Sequence, residues 1–215
     1  MSELAIVHIV DDDVSLRLAL DSLFRSVGLR TQLHGSAREF LAAERPDVPS
    51  CLVLDVRLPG MSGLDFHEQL AAHGIHLPVV LMTGHGDIPM SVRAMKAGAV
   101  DFLPKPFRDQ DMLDAVGAAL DKDRERRAAE DGAAGLRSAF ATLTQREKQV
   151  MALVSAGRMN KQVAWALDLS EITVKIHRGS AMRKMGAKSL ADLVRMAEAL
   201  ALKPESVGVP ARADA

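Results

Sequence analysis

Acidic, hydroxyl and basic side chains follow short apolar runs in the first half of the chain. Asp11, Asp12 and Asp13 come directly after the first run, Asp55 after the third, Thr83 after the fourth, and Lys105 two residues after the fifth. Carboxylates that lie close together repel one another unless a cation neutralises them, and an all-oxygen set favours Mg²⁺. A carboxylate beside Mg²⁺ can attack phosphorus when a hydroxyl and an ammonium group stabilise the phosphoryl oxygens. Brought together, these residues would form a Mg²⁺-dependent site for phosphoryl transfer.

The apolar runs predict the elements that would position these side chains. The runs are Ala5–Val10, Thr31–Leu33, Cys51–Leu54, Pro78–Met82 and Val100–Leu103. Helical patterns follow them over about residues 14–27, 36–44, 62–73, 88–97 and 109–121. This alternation predicts an α/β domain with a doubly wound, five-stranded parallel sheet of the flavodoxin-like type. Because the carboxyl ends of parallel strands line one crevice, we expect the reactive side chains to converge there.

Acidic residues at strand ends also occur as helix caps and in different classes of protein. Asp13 fits a helix N-cap best, a position that favours acidic side chains. A phosphohydrolase of the haloacid dehalogenase type also uses an Asp nucleophile at a strand end, but the second Asp of its Asp-x-Asp motif is here Arg57. A flavodoxin-like nucleotide binder needs a first loop rich in Gly, Ser or Thr, whereas this acidic loop would repel phosphate.

The net charge of -1 conceals a strong asymmetry. Residues 1–120 hold 10 Lys and Arg against 16 Asp and Glu, whereas residues 136–202 hold 11 against 5. This division predicts two domains with different partners, and the basic domain is a candidate for binding nucleic acid. The charged run 121–131 predicts that the fifth helix continues into a solvated helical linker, which Gly132 and Gly135 make more flexible.

Composition argues against a membrane or secreted protein. No apolar run approaches the length of about 18 residues needed to span a bilayer, and the first residues lack a basic region. The single Cys51 lies in an apolar run and can form no internal disulfide. We therefore expect a cytoplasmic protein that does not contact membranes.

Capping residues predict four helices in the second half. Thr144 with Glu147 forms a capping box, Gly157 ends that helix, Asn160 can cap the second helix, and Ser170 and Ser189 can cap the third and fourth. A short helix, a tight turn at 168–170 and a basic helix over 171–185 are typical of a helix-turn-helix, which binds the major groove of DNA. Trp165 is expected in the core of this all-α domain.

Several segments of the first half resemble the receiver domain of two-component response regulators, over about residues 4–121. They are Val10–Asp12, Leu54–Gly63, Met82–Gly86 and Lys96–Phe107. The resemblance implies that Asp55 is the phosphoacceptor. It also implies that Asp12, Asp55 and the backbone carbonyl of Arg57 bind Mg²⁺ directly, while Asp11 assists through water.

The same resemblance assigns the remaining receiver residues. It implies that Thr83 and Lys105 contact the phosphoryl group and that the Lys105–Pro106 peptide is cis. Phe102 matches the switch aromatic of the family. Because Phe102 has no hydroxyl, its inward rotation would depend on packing alone.

The second half resembles the LuxR-type DNA-binding domain over about residues 138–202. The matching segments are Leu143–Glu147, Asn160–Ala164, Leu169–His177 and Arg183–Ala187, and the combination points to the NarL/FixJ group, most closely FixJ. In that group base contacts come from positions matching Lys175, Ile176 and Gly179. Gly179 lacks the long side chain often found there, and Arg178 is a candidate to substitute for it. The other predicted DNA contacts are Lys161, Thr173, Lys184 and Lys188.

Together the resemblances imply a phosphorylation-activated transcriptional regulator. Its domains would be a receiver (1–121), a linker (122–137), a DNA-binding domain (138–202) and a flexible tail (203–215). A sensor histidine kinase would supply the phosphoryl group, and dimerisation through the 88–103 face would promote binding to double-stranded DNA. RNA polymerase is a further partner that the resemblance allows. The protein would not be an enzyme, beyond its own phosphotransfer and dephosphorylation. An alternative stays open, in which a partner protein switches the receiver without phosphorylation.

Overall fold

A computed structural model describes residues 5–84 and 88–209. The chain divides into two compact units, the first ending at Arg127 and the second beginning at Ala128. Two residues of the Met82–Gly86 segment, His85 and Gly86, lie outside the described residues. Among the helices that are described, none is long and apolar enough to cross a membrane.

The first unit contains the predicted parallel sheet. Its strands are β1 (Ile6–Val10), β2 (Arg30–His34), β3 (Ser50–Asp55), β4 (Arg57–Leu58), β5 (Met61–Ser62), β6 (Val79–Thr83) and β7 (Asp101–Pro104). Five of them form one sheet in the order β2-β1-β3-β6-β7, with every neighbouring pair parallel. The doubly wound, five-stranded fold predicted from the sequence is therefore confirmed. The short hairpin of β4 and β5 was not predicted.

The helices of the described residues follow the strands and then form the second unit. They are α1 (Val14–Ser26), α2 (Ala37–Ala42), α3 (Gly63–Gln69), α4 (Ile88–Lys96), α5 (Asp109–Ala141), α6 (Gln145–Ser155), α7 (Asn160–Leu167), α8 (Glu171–Met185) and α9 (Leu190–Ala199). Asp13 is the N-cap of α1, as predicted, because its carboxylate accepts hydrogen bonds from the backbone N–H groups of Ser15 and Leu16. This leaves Asp11 and Asp12 available for chemistry.

Two apolar cores lie on opposite faces of the sheet. Helices α1 and α5 cover one face, where Phe24 and Met112 pack against alternate residues of β1, β3 and β6. Helices α2, α3 and α4 cover the other, where Phe40 and Phe66 are fully buried. All residues of β1, β3 and β6 are buried, which explains their continuous apolar sequence. Burial on both faces fixes the strand ends at which the reactive residues lie.

Helix α5 is long and continues through Gly132 and Gly135 to Ala141. Not all of its charged run is solvated, because the side chain of Asp123 is completely buried. Its carboxylate accepts a 2.9 Å hydrogen bond from the backbone N–H of Ser50 and pairs with Arg126 and Arg127. This contact holds α5 against the start of β3.

The second unit is all-α, with the four predicted helices α6 to α9 around one apolar core. Thr144 and Glu147 form the predicted capping box at the start of α6. Asp168 adopts a left-handed conformation, with φ of 55°, between α7 and α8, and Ser170 caps α8. This geometry forms the short helix, turn and longer helix of a helix-turn-helix.

Three local predictions for this unit differ from the structure. Trp165 is not in the core: it is 54% exposed, because Val163, Ala164 and Leu167 form the buried face of α7. Asn160 is not the cap of α7, since Met159 holds that position and the Asn160 side chain accepts a hydrogen bond from Arg178.

The third difference concerns the predicted tail. Pro204–Val207 forms a short 3-10 helix, Val207 is buried, and the side chain of Gln149 donates to the Gly208 carbonyl at 3.0 Å. The chain therefore packs against the second unit up to Val209, and the rest of the predicted tail, 210–215, lies outside the described residues.

Candidate functional site

Three carboxylates meet at the carboxyl edge of the central strands. Asp11 and Asp12 follow β1, and Asp55 is the last residue of the neighbouring strand β3. One carboxylate oxygen from each lies within 4.8 Å of the others. Asp11 and Asp55 are buried, whereas Asp12 is exposed. The site is therefore an acidic pocket with one side open to solvent.

The Lys105 side chain joins two of these carboxylates. Its Nζ donates to Asp11 Oδ2 at 2.7 Å and to Asp55 Oδ2 at 3.0 Å, across 94 and 50 residues of sequence. The Lys105 backbone N–H donates to the Thr83 carbonyl at 2.6 Å, which anchors it beside β6. The Lys105–Pro106 peptide is cis, as the resemblance implied.

The ionisation of the pocket reflects opposing effects. Burial raises the pKa of Asp55, and the hydrogen bond and positive charge of Lys105 oppose that rise. Burial also disfavours the charged form of Lys105, but its hydrogen bonds to Asp11 and Asp55 raise its pKa above the usual value. Lys105 therefore stays a cation while it neutralises part of the acidic charge.

The donor set fits a hard divalent cation. The acidic cluster contains carboxylates and no His or Cys, and carboxylate oxygens are the ligands that suit Mg²⁺. Asp11, Asp12 and Asp55 would hold the ion, which would supply positive charge for the oxygens of a phosphoryl group. The backbone N–H of Arg57 donates to Asp55 Oδ1 at 3.3 Å, and the role of its carbonyl as a ligand stays a prediction.

The predicted switch residues lie beside this pocket. Thr83 is completely buried at the end of β6, next to β3 in the sheet. Phe102 on β7 is half-buried and packs against the core on the side of α4. The structure thus brings Thr83 to the same sheet edge as Asp55 and places Phe102 on the neighbouring strand.

Gly63 is a site residue that the sequence patterns did not single out. A Cβ at this position would lie 2.0 Å from the Asp55 carbonyl oxygen, a distance that no real contact allows. The backbone N–H of Gly63 also donates to the Val56 carbonyl at 2.8 Å. Because Gly63 has no side chain, α3 can begin directly against the strand that carries Asp55, and no strand or helix pattern in the sequence signals this close approach.

The predicted DNA-binding residues fall into two groups on α7, α8 and the following loop. Exposed residues are Lys161, Lys175, Ile176, Gly179, Lys184 and Lys188. Thr173 and Arg178 are half-buried, and each has an intramolecular partner, the Ser170 hydroxyl and the Asn160 side chain respectively. The exposed group leaves cations and an apolar side chain available on α7, α8 and the loop after α8.

Lys184 is exposed as well, but it also has an ion-pair partner within the unit, and its contact with DNA stays a prediction. Its Nζ lies 2.7 Å from Oε2 of the buried Glu147, and Ser180 donates to the other carboxylate oxygen at 2.7 Å. Lys184 therefore links α8 to α6, because a buried carboxylate needs a charge partner.

Models of two families match this chain in the regions that the geometry indicates. The response regulator receiver domain matches residues 7–117, and the bacterial regulatory proteins of the luxR family match residues 141–197. The acidic pocket lies in the first match and the helix-turn-helix in the second. The chain belongs to the two-component response regulators of the NarL/FixJ type, which join a receiver domain to a LuxR-type DNA-binding domain.

Individual relatives agree with this assignment over nearly the whole chain. Nodulation protein W of Bradyrhizobium diazoefficiens is 62% identical over 92% of this chain and 87% of its own length. The transcriptional regulatory protein FixJ of Azorhizobium caulinodans is 43% identical over 98% of this chain and 100% of its own length.

Solved structures show the same similarity. The response regulator StyR matches with a TM-score of 0.80 and 48% identity, covering 91% of this chain and 98% of that one. Full-length FixJ from B. japonicum matches with a TM-score of 0.55 and 37% identity, covering 91% of this chain and 97% of that one.

Proposed function

We propose that this response regulator accepts a phosphoryl group on Asp55 from a sensor histidine kinase in a Mg²⁺-dependent reaction. Phosphorylation then promotes dimerisation and sequence-specific binding to double-stranded DNA in the cytoplasm. The observation that carries the proposal is the contact of Lys105 Nζ with both Asp11 and Asp55 inside the three-carboxylate pocket. No step other than phosphotransfer and dephosphorylation of the protein itself is proposed as catalysis.

The residues of the pocket have distinct roles in the transfer. A carboxylate oxygen of Asp55 attacks the phosphorus of a phosphohistidine, so that a P–O bond forms as the P–N bond breaks and the imidazole leaves. Lys105 and the Thr83 hydroxyl stabilise the oxygens of the transferred group. Asp11 and Asp12 complete the carboxylate set that holds Mg²⁺, together with the carbonyl of Arg57.

The phosphoryl group adds a charge of about -1.5 to -2 to a pocket built around Lys105. That charge attracts Thr83 and Lys105, and the movement of Thr83 leaves space for Phe102 to rotate inward. Helix α4 and β7 pack against each other next to Phe102, so this rotation alters the 88–103 face. Dimerisation through that face is the expected consequence.

DNA binding is assigned to α8. Lys175 and Ile176 face solvent and are proposed to contact base edges, and the exposed Gly179 leaves space for the bases beside them. The proposed contacts to phosphates or adjacent bases are Lys161, Thr173, Arg178 and Lys188. Lys184 is expected to contribute mainly to stability because Glu147 neutralises it. RNA polymerase is proposed as a partner of the DNA-bound dimer.

The test is the affinity of the full chain for a DNA site selected from a random library. Treatment with acetyl phosphate and Mg²⁺ should tighten binding of the wild-type protein, and Asp55→Asn should remove this effect because no acyl phosphate can form. Lys175→Ala should weaken binding to the selected site by about 1–3 kcal/mol if it contacts a base edge. Equal affinity for wild-type and Asp55→Asn proteins under phosphorylating conditions would instead favour a receiver switched by a partner protein.

A further inference from the structure

Two isoleucines are exposed on the helix assigned to the major groove. Ile172 is 72% exposed and Ile176 is 64% exposed, whereas Val174, Ala181 and Met185 are the buried apolar residues of α8. Residues four apart in a helix lie on the same face, so the two isoleucines are neighbours there. Their spacing is out of phase with the buried stripe, and the helix core therefore does not explain them.

We propose that Ile172 and Ile176 together select thymine by contacting its C5-methyl group in the major groove. This inference rests on the proposed DNA binding by α8 and goes further by naming the base and adding Ile172 as a specificity-determining residue. The thymine methyl is the apolar group that the major groove displays. Burying it against a branched aliphatic side chain removes apolar surface of both partners from water.

The charges around the two isoleucines favour DNA over a protein as the occupant of this face. Lys175 lies between them in sequence and is exposed, and Arg183 is also exposed further along the helix. The one acidic residue of α8 is Glu171, at its first position. A cationic face with an apolar pair complements the polyanionic backbone and the thymine methyls of a duplex.

Gly179 gives the apolar pair access to the bases. It lies three residues after Ile176, and a Cβ at this position would meet nothing within 4 Å. The absence of a side chain there lets the helix approach the groove on the side of Ile176.

The helix geometry also predicts how the thymines are spaced. Four residues of α-helix rise about 6 Å, so the two side chains reach positions about 6 Å apart along the groove. Each half-site should therefore contain two thymine methyl groups at nearby positions along the groove.

The experiment combines protein variants with modified DNA. The phosphorylated full chain first selects its site from a random duplex library, and each thymine of a half-site is then replaced by deoxyuridine, which lacks only the methyl group. Each of the two relevant replacements should weaken wild-type binding about fourfold, the factor expected for burial of one methyl or methylene group.

Variants then assign each methyl group to a side chain. Ile172→Ala should abolish the deoxyuridine penalty at one position and Ile176→Ala at the other, while the control Leu190→Ala keeps both penalties. Leu190 is a suitable control because it is 44% exposed but belongs to α9.

The outcomes separate this inference from the proposed function. A selected half-site without thymine, or deoxyuridine penalties that persist in both isoleucine variants, would overturn thymine recognition while leaving DNA binding intact. Changed self-association of Ile172→Ala with unchanged thymine discrimination would likewise overturn it, in favour of a protein contact. Failure to select any site would refute the proposed DNA binding, and the inference with it.

Discussion

Asp55 experiences opposing influences on its charge within a few ångströms. Burial and the nearby Asp11 raise the pKa of Asp55, while Lys105 and the Arg57 N–H lower it. The ammonium of Lys105 is shared between two carboxylates, so it only partly neutralises the cluster. A bound Mg²⁺ would relieve the remaining repulsion, which is why the pocket is expected to need the ion for phosphoryl transfer.

Gly63→Ala should damage the pocket although it changes no reactive group. Its new Cβ would overlap the Asp55 carbonyl oxygen, so the backbone of β3 or α3 must shift. We expect the free energy of unfolding to fall by about 1–3 kcal/mol, together with slower phosphorylation of Asp55. Chemical denaturation and labelling by acetyl phosphate measure the two effects.

Gly117→Ala is the matched control for this substitution. Gly117 lies in α5, where a Cβ would meet nothing within 4 Å. Because Ala has a higher helix propensity than Gly, the free energy of unfolding should stay unchanged or rise by up to about 1 kcal/mol. A Gly63→Ala protein with wild-type stability and labelling would show that the close approach at Asp55 is unimportant.

The reactive residues illustrate which parts of a site a sequence can show. The reactive residues each lie at the end of a strand or just after it, and parallel strands end at one edge, so their convergence could be predicted. They are Asp11, Asp12, Asp55, Thr83 and Lys105. The close approach at Gly63 could not be deduced from strand and helix patterns, because it depends on the distance between two backbone segments.

At the scale of elements, α6 and α8 are joined by an ion pair between the buried Glu147 and the exposed Lys184. Burial of the Glu147 carboxyl favours its neutral form, but hydrogen bonds from Lys184, Ser180 and Thr144 outweigh burial and lower its pKa to about 2. A carboxyl whose pKa is lower in the folded state stabilises the fold above its unfolded pKa of about 4.3. That stabilisation declines as pH falls towards 2.

Glu147→Gln should therefore destabilise the protein in a pH-dependent way. At pH 7 we expect a loss on the order of 2 kcal/mol, because Lys184 loses its charged partner. The difference from wild type should shrink as pH falls from about 4 towards 2, since the wild-type carboxylate becomes protonated. Urea unfolding of both proteins across this range measures it, and a difference independent of pH would contradict the role of the charge.

Two residues of the second unit show how far helical patterns predict contacts. The pattern places Lys184 on the exposed face of α8, but it does not reveal the ion pair with Glu147, because that partner lies on a different helix. Trp165 was expected in the core from its residue type. The spacing of Val163, Ala164 and Leu167 already places it on the opposite face of α7, so periodicity was the better guide.

At the scale of the whole molecule, an apolar stripe on α4 is the proposed dimer contact. Ile88, Val92 and Met95 are 81%, 45% and 50% exposed, at helical spacings of four and three residues. Val92→Arg should prevent dimerisation after phosphorylation, because it places a charge in the centre of the apolar contact. We expect the dimer dissociation constant to rise about tenfold or more, an effect of ~1.4 kcal/mol.

Light scattering of the phosphorylated protein measures this effect. Val27→Arg is a matched control, because Val27 is 53% exposed at the end of α1, which covers the opposite face of the sheet. A phosphorylated Val92→Arg protein that dimerises like wild type would exclude this face.

The overall organisation could be predicted further than the contacts within it. The acidic and basic halves, 1–120 and 136–202, coincide with the two family matches, because charge composition reflects the partner of each domain. The burial of Asp123 could not be predicted, since charged runs are usually solvated and its partner Ser50 is 73 residues away. Long-range pairing of this kind emerges only from the folded chain.

Phosphorylation of Asp55 is measured by the mass of the peptide that contains it, after treatment of the full chain with acetyl phosphate. With Mg²⁺ present, the peptide should gain one phosphoryl group, and the gain should be absent with EDTA or in Asp55→Asn. Asp12→Ala should reduce it, because one carboxylate of the ion site is lost. An Asp55 peptide that stays unmodified would contradict the assignment of this pocket. A phosphoryl group that persists elsewhere in Asp55→Asn, together with full phosphorylation of Asp12→Ala, would contradict it as well.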